Sequence, residues 1–149
     1  MVVFLILALI AGIILFAFVS APRTKRRYTR SGGRSQPLTR LSKDDIHARW
    51  ATIEGMSAQG GNGLRQALNE ADKLFDHVMR QQGLSGDNMG SRLKSARTRF
   101  ANYDHYDAVW KAHKLRNALA HDVGFDLVPS QAREAIADFH RGLRDMGAL

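Results

Sequence analysis

The chain opens on an unbroken apolar run, Met1 to Val19, in which Gly12 is the only residue outside the hydrophobic set. At about 1.5 Å per residue such a run spans roughly 29 Å as a helix, close to the hydrocarbon thickness of a bilayer. This predicts one transmembrane anchor over residues 1–20. A cleaved signal peptide is the alternative, carried by the small-residue stretch Val19-Ser20-Ala21. Against it stand the absence of Lys or Arg ahead of the run, the length of the run, and Pro22 immediately behind it. From residue 42 onward the apolar positions recur at helical spacing instead.

Ser42 suits an N-cap, with Asp44 and Asp45 in the first turn. Ile46, Trp50, Ile53 and Met56 then mark one helix face, and Gln59 to Gly63 ends it. A second helix is predicted from about Leu64 to Gln82, with Gly83 as its C′ stop. Its stripe is Leu64, Leu68, Ala71, Leu74, Phe75, Val78 and Met79. Met89, Leu93, Ala96 and Phe100 mark a shorter third helix. After a turn at Asn102 to Asp104, a fourth runs from about Tyr106 to His121. Ser130 is expected to cap a fifth, with Ile136, Phe139, Leu143 and Met146 inward. No period-2 strand is evident. The expected fold is all-α, an antiparallel bundle of about five helices over residues 42–149, with short loops. Trp50 and Trp110 read as packing residues within it.

Charge changes the picture at one place. The chain carries 22 Lys and Arg against 14 Asp and Glu. Residues 21–40 hold seven of those bases and no acid, so the remainder is close to neutral. The high net charge therefore does not mark the bundle as a nucleic-acid binder. The basic cluster follows the apolar run directly. The positive-inside rule then places the N-terminus outside and the C-terminal domain in the cytoplasm. Residues 23–34 are also placed to meet anionic lipid headgroups, at about 1 kcal/mol per base. Ser31-Gly32-Gly33 and Pro37 make residues 21–41 a flexible basic linker. The chain has no cysteine, which excludes disulfides, iron–sulfur clusters, thiolate zinc sites and a cysteine nucleophile.

Chemistry concentrates in the fourth helix, in His113-Lys114-Leu115-Arg116-Asn117-Ala118-Leu119-Ala120-His121-Asp122. Asn117 and His121 are four apart and share a face. Arg116 lies about 140° around the helix from His121, within reach only because its side chain is long. Metal binding is not indicated. His113 and His121 stand about 12 Å apart along the axis, as do His105 and His113. The glycines at 60, 61 and 63 form no phosphate loop, since no Gly-Lys-Ser or Gly-Lys-Thr is present. Asp72 and Asp76 share a face of the second helix, where salt bridges to neighbours such as Lys73 or Arg80 are the ordinary expectation.

Arg116-Asn117-Ala118-Leu119-Ala120-His121 resembles the Arg-Asn-x3-His form of the HEPN signature (higher eukaryotes and prokaryotes nucleotide-binding). The resemblance covers about residues 42–149 and agrees with the all-α expectation. The segment is also similar to one in small membrane-anchored bacterial proteins. The resemblance implies a metal-independent endoribonuclease without cofactor, acting as a homodimer that brings two motifs into one cleft. His121 would then transfer a proton at the RNA 2′-hydroxyl or leaving oxygen, Arg116 would stabilise phosphate charge, and Asn117 would orient the pair. The competing expectation is a non-catalytic, membrane-tethered interaction or nucleotide-binding module. In it Arg116 pairs with Asp72 or Asp76, and Asn117 and His121 secure the helix end or the loop to Pro129.

Overall fold

The computed structural model describes residues 39–122 and 124–149. The expected membrane span, the headgroup-binding stretch 23–34 and most of the linker lie outside the described residues. Among the described residues, no helix is long and apolar enough to cross a membrane.

Every regular element described is helical. The order is α1 (Lys43–Ala58), α2 (Gly61–Gln81), α3 (Met89–Ser95), a single 3₁₀ turn (Arg97–Arg99), α4 (Tyr103–His121) and α5 (Pro129–Asp145). The described residues form an all-α helical bundle, as the apolar periodicity predicts. Ser42 caps α1 in a reciprocal box. Its hydroxyl accepts from the Asp45 N–H, and the Asp45 carboxylate accepts from the Ser42 N–H. The Ser42 hydroxyl also donates to the Asp45 carboxylate at 2.7 Å, and that bond, with the one from the Ser42 N–H, holds the exposed Asp45 carboxyl below its ordinary range.

Four boundaries differ from the sequence reading, each for a local reason. α2 begins at Gly61 rather than Leu64, its first turn closed by the Leu64 N–H on the Gly60 carbonyl, and Gly63 lies inside it against the Met56 carbonyl, where a β-carbon would clash. α3 stops at Ser95 instead of reaching Phe100. The Ala96 N–H is shared between the carbonyls of Arg92 and Leu93, tightening the chain into the 3₁₀ turn. α4 begins at Tyr103, since the Asn102 side chain accepts from the His105 N–H and so caps the helix. Ser130 does not cap α5. Pro129 takes the first helical position, where its missing N–H costs nothing, and Val128 becomes the N-cap without a side-chain bond.

Hydrogen bonds between helix ends fix the directions. Leu41, ahead of α1, exchanges two bonds with the Gln81 side chain at the end of α2, at 2.8 and 2.9 Å, so α1 and α2 run antiparallel. Thr39 and Leu41 are thereby held on α2, with Leu41 buried. The start of α4 meets the end of α5, where Asp145 lies 2.8 Å from His105 Nδ1 and accepts from the Ala101 N–H. Arg65, early in α2, donates to the Phe125 carbonyl beyond the end of α4. Consecutive long helices therefore alternate in direction.

The core closes on Phe75. Its ring lies 5.7 Å from Phe139 and 6.3 Å from Phe100, and Phe100 is 5.5 Å from Tyr106. On α5, Gly142 leaves the notch that the Phe75 ring enters. A β-carbon there would stand 2.7 Å from Phe75 Cε2 and 2.9 Å from Val109 Cγ2. Trp50 is buried and tilted against His140 of α5, with its indole N–H on Glu54. It is a packing residue.

One core-facing acid is expected to show itself in acid. Asp138 on α5 is buried, with Arg141 Nη2 at 3.0 Å, and burial raises its carboxyl above the ordinary value of 3.8. Its ionisation therefore weighs more heavily on the folded than on the unfolded chain. That penalty is absent below 3.8 and fully present once pH exceeds the raised value. Asp138→Asn is expected to raise the melting temperature relative to wild type at pH 7, with the gain fading towards pH 3. An equal effect at both pH values would remove burial as the cause.

Candidate functional site

α2 projects two carboxylates one turn apart, and each is taken by a different helix. Asp76 receives Arg92 of α3 in a two-pronged pair, Nε to Oδ1 at 2.7 Å and Nη2 to Oδ2 at 2.9 Å. The remaining prong of Arg92 reaches the Gly86 carbonyl. Asp72 turns to α4, where its Oδ1 lies 2.7 Å from His113 Nδ1 and its Oδ2 lies 3.3 Å from Arg116 Nε. The partners expected from sequence were Lys73 or Arg80, or Arg116 in the competing reading. Lys73 pairs instead with Glu70 on the same helix, at 2.7 Å. Asp72 is buried, and its two oxygens are met across the helix interface by His113 and Arg116.

The contacts around Asp72 close into a ring. Arg116 Nη1 donates to Asn117 Oδ1 at 3.3 Å, and Asn117 Nδ2 stands 3.1 Å from His113 Nε2. With the amide oxygen turned to Arg116, its N–H faces the imidazole. His113 Nε2 then accepts and Nδ1 donates to Asp72. Asp72 and His113 are both buried, whereas a quarter of the Arg116 side chain remains exposed. Arg116 Nε is enclosed but makes no well-aligned hydrogen bond. The ring borders a cleft of about 570 Å3, whose lining also includes Asn88, Gly90, Trp110, Lys73 and Lys114. Trp110 packs across it, 6.1 Å from His113 and close over Gly90.

Of the three residues singled out in sequence, Arg116 and Asn117 are brought together at this cleft. His121 is exposed at the C-terminal end of α4, with no contact to either among the described interactions. It is not placed on the cleft lining. Arg116 meets Asp72, one of its two expected acidic partners, while Asp76 belongs to Arg92. Asn117 bonds back to His113 rather than forward to the helix end or to the loop before Pro129. Among the described residues, no group of three or more His, Asp and Glu side chains could hold a metal ion.

Sequence reasoning did not assign His113 to the site and named Asp72 only as one of two partners for Arg116 in the competing reading, although both left a trace. Asp72 falls between Leu68 and Phe75 on the apolar stripe of α2, and His113 is four residues beyond the buried Val109 on α4. A charged or polar residue on a core-facing stripe requires a partner, and these two partner each other. The arrangement can present a guanidinium at the wall of an open polar cleft, held from behind by a carboxylate and an amide. Such a group binds phosphate or carboxylate oxygens. Comparison of the chain with protein-family models, curated proteins and solved structures gave no match.

Proposed function

We propose that the bundle is an HEPN-like module that binds RNA at the Arg116–Asn117–His121 segment of α4 and cleaves it without a metal ion, as a homodimer. Residues 1–20 would tether it to a membrane, with the bundle on the cytoplasmic side. The observation that supports this reading is that Arg116 and Asn117, neighbours in the motif, touch each other at one polar cleft. Lys73 and Lys114 add cationic side chains to the same lining.

The reaction would use the RNA's own 2′-hydroxyl. Its oxygen attacks phosphorus as a His121, which lies off the Arg116 cleft of its own copy and would be brought to the phosphate by dimerisation, accepts the proton, and the bond from phosphorus to the 5′-oxygen breaks. A second proton transfer, from the His121 of another copy, completes the leaving hydroxyl. The products are a 2′,3′-cyclic phosphate and a 5′-hydroxyl, with no water consumed. Arg116 would neutralise the charge that grows on the phosphate oxygens, and Asn117 would hold the guanidinium in place.

The test uses the full chain in mild detergent, cellular RNA and EDTA, with Arg116→Ala and His121→Ala in parallel. Wild type is expected to leave cyclic phosphate ends. Each variant is expected to lose at least about 100-fold in rate, with a melting temperature near that of wild type. Cleavage that persists in both variants would overturn the reading.

A second reading has its own observation. Arg116 and Asn117 are engaged inside the bundle, with Asp72 and His113 as partners. In that case the protein is a non-catalytic interaction or nucleotide-binding module and the ring is structural. Absence of RNA cleavage, together with a large fall in melting temperature for Arg116→Ala, would favour it.

A further inference from the structure

We infer that Asp72 and His113 are positioning residues that set the Arg116 guanidinium through the Asn117 amide. This rests on the reading of Arg116 and Asn117 as a phosphate-binding pair. His113 is 9% exposed, and both of its ring nitrogens are engaged, Nδ1 with Asp72 at 2.7 Å and Nε2 with Asn117 at 3.1 Å. It therefore has no free nitrogen to offer a substrate. Whatever it contributes passes through Asn117.

The chemistry of that chain has a direction. An amide has one donor end and one acceptor end. While His113 Nε2 accepts, Asn117 must turn its N–H to the ring, and its oxygen is left for Arg116 Nη1. Asp72 anchors both ends, because Oδ1 holds the imidazole and Oδ2 faces Arg116 Nε at 3.3 Å. A guanidinium has five N–H donors, and the ring leaves several for a ligand. Protonating His113 at Nε2 would replace the acceptor by a donor. Asn117 would have to rotate, presenting its N–H to a guanidinium that is itself a donor. Arg116 would then lose its amide contact. The charged groups around His113 in this cleft are Asp72, Lys73 and Asp76 of α2 and Lys114 and Arg116 of α4, with Asp76 already paired to Arg92 of α3.

Two substitutions separate this role from others. His113→Gln keeps one donor and one acceptor and takes up no proton. His113→Phe keeps a flat ring beside Trp110 and removes both bonds. The first readout needs no activity. In the 15N-labelled full chain in detergent micelles, the Asn117 side-chain amide and the Arg116 Nε–H are followed by NMR. Wild type and His113→Gln are expected to show both resolved from solvent-averaged positions, and His113→Phe to lose both. The second readout is RNA cleavage. His113→Phe is expected to lower kcat by about 10- to 100-fold with little change in KM, and His113→Gln to restore most of it. Unchanged Arg116 and Asn117 signals in His113→Phe would overturn the inference. So would a His113→Gln protein as impaired as His113→Phe, since the imidazole would then be acting by its own proton. If wild type cleaves no RNA, the reading of the site as a nuclease falls, and the NMR comparison still decides whether His113 positions Arg116.

Discussion

Truncating Phe75 to alanine is expected to cost about 3–5 kcal/mol of folding free energy, towards the upper end of that range. The side chain is fully buried and packs against α5 and the segment that follows the 3₁₀ turn. It faces Phe139 on α5 and Phe100 after the 3₁₀ turn, and it enters the notch at Gly142. The notch is why little relief is available. Its floor is α5 backbone, which cannot move inward without carrying the whole helix against α4. The cavity left by alanine would therefore stay open, and the penalty for truncation grows with residual cavity volume. A domain of this size holds about 5–15 kcal/mol in all. Urea denaturation of the full chain should thus show a midpoint lowered by a third or more, with an unchanged slope. A loss under about 1 kcal/mol would mean that the helices close over the gap and that Gly142 is not a fixed wall.

Phe75 was visible from sequence, because a buried aromatic on a long 3.6-residue period needs only the pattern to be found. The same holds for the whole all-α architecture and for Ser42, whose two following acids mark a helix start. Ser130 was not legible as a non-cap. Serine and proline both favour helix starts, and only the backbone decides which of two adjacent residues takes the first helical position. The glycines at 61 and 63 read as the end of the first helix because propensity treats glycine as a breaker. The cause of glycine at 63 lies in another helix, the Met56 carbonyl, which no local pattern reports. The site divides in the same way. Arg116 and Asn117 were legible as neighbours in a motif. The bond from Asn117 to His113 is a four-residue step on α4, but the tie of His113 and Arg116 to Asp72 spans more than forty residues and depends on which way α2 and α4 face. Spacing along one helix cannot supply that.

Replacing Asp72 by alanine is expected to destabilise the bundle by about 3 kcal/mol. The value lies low in the range for breaking a buried ion pair because Arg116 is one-quarter exposed and can turn part of its charge to water. His113 has no such exit. It would keep a buried Nδ1–H facing a hole, which carries the full desolvation penalty of that donor. Asp72→Asn should cost less, about 1–3 kcal/mol, since its amide oxygen can still accept from His113 while its N–H opposes Arg116. A double-mutant cycle between Asp72→Ala and Arg116→Ala then measures the link directly. The expected coupling is about 0.5–3 kcal/mol, with Arg116→Ala relieving part of the Asp72→Ala loss. The single Arg116→Ala value separates the two functional readings. If Asp72 serves to hold a working guanidinium, the arginine contributes little to stability and its removal is close to neutral, as for many functional groups built at the expense of stability. If the ring is structural, Arg116→Ala should approach the loss seen for Asp72→Ala. Zero coupling would show that the 3.3 Å approach of Arg116 to Asp72 carries no free energy. That would leave the Asp72–His113 bond as the only working part of the ring.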